Sequence, residues 1–138
     1  MKALVTGIAG FIGSYVAKRL IANGYEVVGI DNLNDYYDVS LKRARLDWVR
    51  EQGNFTFVEM DLADKAAMTT LFDHHQFDRV VHLAAQAGVR YSIEHPDVYV
   101  ASNLVGFVNI LEACRHQQTP HLVFASSSSV YGLNSKLP

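Results

Sequence analysis

The sequence predicts an α/β chain built on a doubly wound parallel sheet, and three observations carry that prediction. Short apolar runs of strand length alternate along the chain with longer segments of helical period. Three glycines, Gly7, Gly10 and Gly13, stand between the first run and the first helical segment. An acidic residue, Asp31, closes the second run. At 138 residues, 49% of them apolar and 19% charged, the chain has the size and composition of one ordinary domain with a real core.

The elements follow in order. Residues 3–5 are an apolar run that stops at Thr6-Gly7, as a buried strand does. From 11 to 23, Phe11, Ile12, Val16, Leu20 and Ile21 recur at helical spacing, and Gly24 supplies the stop. Residues 26–30 form a second strand ending at Asp31, and 32–37 a polar, aromatic loop. Residues 41–50 read as a helix with Lys42 and Arg43 on its wet face and Leu41, Leu46, Trp48 and Val49 available for packing. A third strand spans 55–58, ending near Asp61-Leu62, and a short helix over 66–74 carries Met68, Leu71 and Phe72. The fourth strand is 79–83. The longest helical pattern runs from 98 to 115 through Leu104, Phe107, Val108, Leu111 and Ala113. Residues 122–125 make the fifth strand, 126–132 a turn, and 134–138 no element. Five strands separated by four helices call for parallel pairing, because parallel neighbours need a crossover connection.

Several function classes are excluded early. The net charge of −2 offers no basic excess for nucleic acid or an anionic membrane. The single cysteine, Cys114, cannot form an internal disulfide or a Cys-rich zinc site, and it reads as a buried helix residue rather than a reactive thiol. No apolar run approaches the roughly 18 residues of a spanning helix. The apolar stretch after Lys2 is broken by Gly7, Gly10 and Gly13, so strand and turn are expected there rather than a signal peptide. His74-His75 lacks a third ligand at a coordinating spacing and reads as a solvated helix end, so no metal is expected. The expectation is a cytoplasmic globular domain.

The glycine triplet carries the first functional reading. Gly7 lets the chain leave the strand tightly, Gly10 lets backbone approach a pyrophosphate, and Gly13 lets the helix pack close to the sheet. The helix that starts at Phe11 aims its unpaired amides and positive dipole end at the phosphates. Asp31 follows Gly13 by 18 positions, where a carboxylate can accept the ribose hydroxyls. A structural turn with a capping aspartate is the competing reading, and the order of turn, helix, strand and acid argues against it. The expectation is a Rossmann-type dinucleotide site. Asp31 repels a 2′-phosphate and residues 32–38 hold no Lys or Arg to offset it, so the expected cofactor is NAD rather than NADP.

Val5-Thr-Gly-Ile-Ala-Gly-Phe-Ile-Gly13, Asp31-Asn-Leu-Asn34, His82-Leu-Ala-Ala85 and Ser126-Ser-Ser-Ser-Val-Tyr-Gly132 resemble the extended short-chain dehydrogenase/reductase superfamily. Within it the chain is similar to nucleotide-sugar epimerases. The runs Asp31-Asn-Leu-Asn-Asp-Tyr-Tyr-Asp-Val39 and Leu41-Lys-Arg-Ala-Arg-Leu46 are most similar to those acting on UDP-glucuronate. The resemblance implies a cofactor set of Gly7, Gly10, Phe11, Ile12, Gly13, Asp31, Asn32 and Asn34. It adds Asp61 and Leu62 beside the adenine, and Leu83, Ala84 and Ala85 along the pyrophosphate and nicotinamide ribose. Asn103 belongs near the nicotinamide end. Ser127 matches the Ser/Thr that bonds the sugar 4-hydroxyl, and Arg90 and Ser92 lie where the sugar or its phosphates would be met. Other readings of these residues stay open: Asp61 as a helix cap, Leu83 as core, Asn103 as a helix polar group, Arg90 as an ion-pair partner, and the serine run as a turn.

Two departures refine the expectation. Where the superfamily's 4,6-dehydratases carry an acid pair, this chain has Ser128 and Ser129, which cannot act as carboxylate acid and base. The superfamily's base is a tyrosine with a lysine four positions later, and none of the seven tyrosines here has one. Tyr15 is followed at that spacing by Arg19, Tyr131 by Ser135, and Lys136 comes one position late. The chain is therefore expected to be the N-terminal, NAD-binding portion (1–138) of an epimerase interconverting UDP-glucuronate and UDP-galacturonate through a 4-keto sugar, and inactive alone. A reductase or dehydratase of the same superfamily, or a non-catalytic NAD sensor, are the alternatives. The apolar stripe of the 98–115 helix further implies a homodimer or a self-associating chain.

Overall fold

The structure, a computed structural model, describes residues 1–133, and the expectations for 134–138 lie outside them. Its strands are β1 (Lys2–Thr6), β2 (Glu26–Asp31), β3 (Phe55–Glu59), β4 (Arg79–His82) and β5 (Leu122–Phe124). All pair in parallel in the order β3-β2-β1-β4-β5. The chain winds outward from β1 to β3, then returns past β1 to lay down β4 and β5. The winding reverses between β1 and β4, the place where open α/β sheets leave a crevice. Thr6 is in register with both Ile30 and His82, so the carboxyl ends of β1, β2 and β4 finish level.

Alternation along the strands builds two cores. Leu4, Val28, Ile30 and Val80 pack beneath α3 (Lys65–His74) and α6 (Gly106–Gln117), with Met68, Leu71, Phe72 and Ile110. Ala3, Val5 and Val27 pack beneath α1 (Phe11–Ala22) and α2 (Val39–Arg50), with Ala17, Leu46 and Val49. Each such aliphatic side chain contributes about 1.5–3 kcal/mol by leaving water. Local signals set the helix starts: Asp38 caps α2 through the Ser40 amide, and Asp64 caps α3 through the Ala67 amide.

Helix faces needed correction. Lys42 is not on the wet face of α2 but buried, only 4% exposed, while Leu41 faces solvent. Phe11 and Ile12, counted as inward positions of α1, are exposed at its first turn. The pattern over 98–115 is not one regular helix. Pro96 opens a short α5 (Pro96–Tyr99), a π-helical stretch covers Val100–Val105, and α6 follows. Before them lies α4 (Val89–Glu94), which sequence reading missed. Its apolar Val89, Tyr91 and Ile93 alternate with polar residues instead of forming a helical stripe, and Val89 and Ile93 remain exposed.

The apolar stripe of the last helix is real but narrower than expected. Leu104, Val108 and Leu111 are exposed, whereas Phe107 turns inward, stacked 5.3 Å from His82 and 5.0 Å from Phe124. Val123 and Phe124 are half exposed on β5. Among the described residues no helix is long and apolar enough to cross a membrane.

Candidate functional site

Level strand ends bring three loops together, and the first is the glycine turn. Gly7 adopts φ +68°, a left-handed conformation that L side chains rarely adopt. There the amides of Gly7 and Ile8 both donate to the Ile30 carbonyl, at 2.9 and 3.2 Å. Gly10 donates to the Gly7 carbonyl at 3.0 Å and precedes α1 without any side-chain cap. The first amides of α1 (Phe11, Ile12, Gly13) therefore have neither an intrahelical partner nor a capping side chain, the state in which a helix end takes an anion.

The second loop leaves β4 and is held against the turn by a buried hydroxyl. Thr6 Oγ1 accepts from the Leu83 and Ala84 amides at 3.1 and 3.0 Å and lies 2.8 Å from His82 Nδ1. With both lone pairs occupied, the hydroxyl must donate its proton to Nδ1, which makes His82 a neutral ring protonated on Nε2. Burial enforces the same state by pushing the His82 pKa down to about 4. The fit is close: a Cβ on Gly7 would stand 2.8 Å from the Ala84 nitrogen.

The third loop follows β2. Asp31 Oδ2 accepts from the Ala9 amide at 3.1 Å and Oδ1 from the Leu33 amide at 3.0 Å, fixing the carboxylate beside the glycine turn. Asn32 Nδ2 donates to Asp61 Oδ2 at 2.7 Å, and Asp61 Oδ1 accepts from Ala63 at 2.8 Å. The cap of α3 is Asp64, not Asp61. Asn34 is held by Lys42, whose Nζ donates to both its backbone and side-chain oxygens at 2.8 Å.

One cavity gathers Gly7, Gly10, Asp31, Asn32, Asn34, Asp61, Leu62, Leu83, Ala84 and Ala85. Lys42, Tyr36, Tyr37, Met60, Gln86, Ala87 and Ser102 line it as well and were not foreseen. Lys42 and the tyrosines lie in the Asp31–Leu46 stretch that carried the family resemblance, and that match was the available signal. Phe11, Ile12 and Gly13 do not line it: Phe11 and Ile12 are exposed at the first turn of α1, and Gly13 is buried against the Gly7 carbonyl. Asn103 does not line it but clamps the backbone of Gln86, accepting from its amide at 2.8 Å and donating to its carbonyl at 2.9 Å. The π-helical stretch carries that residue and so shapes the cavity at one remove.

Three predicted residues are not brought in. Arg90 is exposed on α4, and Ser92 donates to the Val89 carbonyl at 2.6 Å. Ser127, exposed beyond β5, accepts from the Ser129 amide and starts the 3-10 turn Ser128–Tyr131. Cys114 is buried in α6, which pushes its thiol pKa up. The geometry offers bare backbone amides for an anion, a fixed carboxylate on one side and small apolar residues on the other. Such a set of groups is suited to a phosphate-bridged nucleotide.

The family model for GDP-mannose 4,6 dehydratase matches residues 4–138. Protein CapI of Staphylococcus aureus is 54% identical over 138 residues, and UDP-glucuronate 4-epimerase 3 of Arabidopsis thaliana is 54% identical over 136. Those alignments take in 100% and 98% of this chain, which spans only 41% and 31% of the two relatives. The crystal structure of UDP-glucuronic acid 4-epimerase from Bacillus cereus, in complex with UDP-glucuronic acid and NAD, superposes with a TM-score of 0.87 at 37% identity. That superposition covers 99% of this chain and 43% of the other.

Proposed function

The chain belongs to the GDP-mannose 4,6-dehydratase family of extended short-chain dehydrogenases/reductases, and from that premise we propose that residues 1–138 are the NAD-binding domain of a nucleotide-sugar 4-epimerase. The observation that carries the reading is the fixed Asp31 carboxylate hydrogen-bonded to the glycine turn in front of α1. The residues present fit the cofactor: the turn is bare of Cβ atoms where a pyrophosphate would approach, and Asp31 offers acceptors for ribose hydroxyls. When bound, NAD supplies reversible oxidation at the sugar C4. The chain's own residues bind and orient: Gly7 and Gly10 with the first amides of α1 take the phosphates, Asp31, Asn32 and Asn34 the ribose side, and Asp61 and Leu62 the adenine. Leu83, Ala84 and Ala85 form the wall toward the nicotinamide, positioned by Thr6 and by Asn103 through Gln86. Ser127 orients the sugar 4-hydroxyl, and Arg90 and Ser92 meet the sugar or its phosphates.

UDP-glucuronate is the favoured substrate, supported by the relatives that carry that activity in their names. The family's description names a dehydratase, but Ser128 and Ser129 hold no carboxylate to remove water, so epimerisation is preferred. No Tyr-x-x-x-Lys is present in the chain, so the purified 138 residues, saturated with NAD and UDP-glucuronate, are expected to show no turnover. Measurable epimerisation would assign the base to a residue named above.

Calorimetry tests the cofactor reading. NAD is expected to bind more tightly than NADP, and Asp31→Ala to narrow the gap by about 1–3 kcal/mol. Equal affinities in the parent chain would sink the assignment. The exposed Leu104, Val108 and Leu111 also support self-association as a dimer. Sedimentation at micromolar concentration reads it, and a charge at Leu104 or Val108 should weaken it. Phe107, turned toward His82, is the wrong probe because a charge there disturbs the core. A clean monomer in the parent would refute the contact.

A further inference from the structure

Lys42 is a buried ammonium whose direct partners are all neutral. It is 4% exposed, its ammonium donates to the two oxygens of Asn34 at 2.8 Å, and the Tyr37 ring lies 4.6 Å away. Among the described residues it forms no ion pair. Two of its three N–H groups are spent on neutral oxygens, and its full positive charge is left without a carboxylate partner. Burying an ammonium in that way is costly, and an uncharged side chain would fill the space more cheaply unless the charge serves a ligand. The side chain lines the same cavity as Asp31, Asn32 and Asn34. Asp31 and Asp35 act on its charge from nearby, opposing the effect of burial. The loop itself holds no cation between Asn32 and Asp38, but the fold brings two back from α2: Lys42, which lines the cavity, and Arg45, which donates to the Ala9 carbonyl and the Tyr37 hydroxyl.

We propose that Lys42 is a specificity-determining residue of the dinucleotide site: a fixed cation at the adenosine ribose that would take a 2′-phosphate, which Asp31 alone keeps out. The inference rests on the reading of the groove as an NAD site. With Asp31 present, a 2′-phosphate meets a fixed carboxylate tied to Ala9 and Leu33, and the ribose hydroxyls are preferred. Without Asp31 the phosphate meets Lys42, and charge-assisted hydrogen bonds replace repulsion. The rival role for Lys42 is a staple that merely holds Asn34 in place, and the two roles separate experimentally.

Calorimetry with NAD and NADP on the intact protein, using Asp31→Ser, Asp31→Ser/Lys42→Gln and Lys42→Gln, makes the test. Glutamine keeps a donor for Asn34 and removes the charge. Asp31→Ser is expected to raise NADP affinity at least about tenfold, and the double variant to lose most of that gain. Asp31→Ser/Lys42→Arg, which keeps the charge, should retain it, and thermal melts confirm that each variant folds. A gain that survives Lys42→Gln overturns the proposal, as does an Asp31→Ser variant with no gain. Equal loss of NAD and NADP binding in Lys42→Gln also overturns it, in favour of the staple. If the parent binds neither dinucleotide, the reading of the groove falls, and this inference with it. A parent that binds NAD while the gain fails leaves the reading standing and removes Lys42 alone.

Discussion

Gly13→Ala is expected to cost about 3 kcal/mol or more in stability and to abolish dinucleotide binding. A Cβ at Gly13 would stand 2.1 Å from the Gly7 carbonyl oxygen, 2.9 Å from its carbonyl carbon and 3.0 Å from the Ile8 Cα. All three are backbone atoms, so no side chain can rotate away to make room. Either α1 must lift off the sheet or the turn must open. Both movements withdraw the first amides of α1 from the position that the Gly7 turn sets for them, and both disturb the pairing of Gly7 and Ile8 with the Ile30 carbonyl. Gly10 provides the graded comparison. Its Cβ would meet the same Gly7 oxygen at 3.0 Å, a contact that a shift of tenths of an ångström relieves, so Gly10→Ala should be clearly milder in stability. Urea unfolding of the three proteins measures the series. A Gly13→Ala protein as stable as the parent would mean that the turn is looser than its packing implies.

This glycine was legible in the sequence because its role is local: strand, tight turn and helix follow one another within a dozen residues. The parallel sheet was legible for a related reason, since each βαβ unit announces itself by a change of hydrophobic period. Lys42 was not legible. Its neighbours on α2 put it on a face that an isolated helix would show to water, and only the return of Asn34 and Tyr37 over that face covers it. The same limit applies to Asn103, whose partner Gln86 is 17 positions away and invisible to any periodicity. The α4 segment failed differently. It has no buried residue, so nothing in its apolar pattern had to match a helix. Ser127 follows β5, as its place in the sequence implied, and its partner there is Ser129, within the same short turn. What sequence reading recovered are features encoded within one supersecondary unit. What it missed depends on contacts between units.

Acidification from pH 7 to pH 4 is expected to remove as much as about 3 kcal/mol of stability through His82 alone. The ring has an ordinary pKa of 6.5 when the chain is unfolded and about 4 when it is folded, so the unfolded chain takes up the proton first. Stability from this group is complete above about pH 6.5, falls as the pH drops through the interval, and is exhausted below about 4. The cause is geometric as well as dielectric. Protonated His82 would carry a hydrogen on Nδ1, facing a Thr6 hydroxyl whose lone pairs already serve Leu83 and Ala84. One of those amides would have to be released, so the wall of the groove should loosen over the same pH range in which stability is lost. His75 also titrates below its ordinary value, through its own burial and the nearby Lys2, and it adds a smaller contribution of the same sign. The depressed carboxyls of Asp38 and Glu112 act at lower pH, below the window that His82 controls. Comparing the parent with His82→Asn isolates the one group, since asparagine can offer Thr6 an acceptor that does not titrate. The parent should lose stability steeply from pH 6.5 to pH 4 and His82→Asn much less. Parallel pH profiles for the two proteins would show that the ring is not held neutral by Thr6, and that the Leu83–Ala84 wall depends on something else.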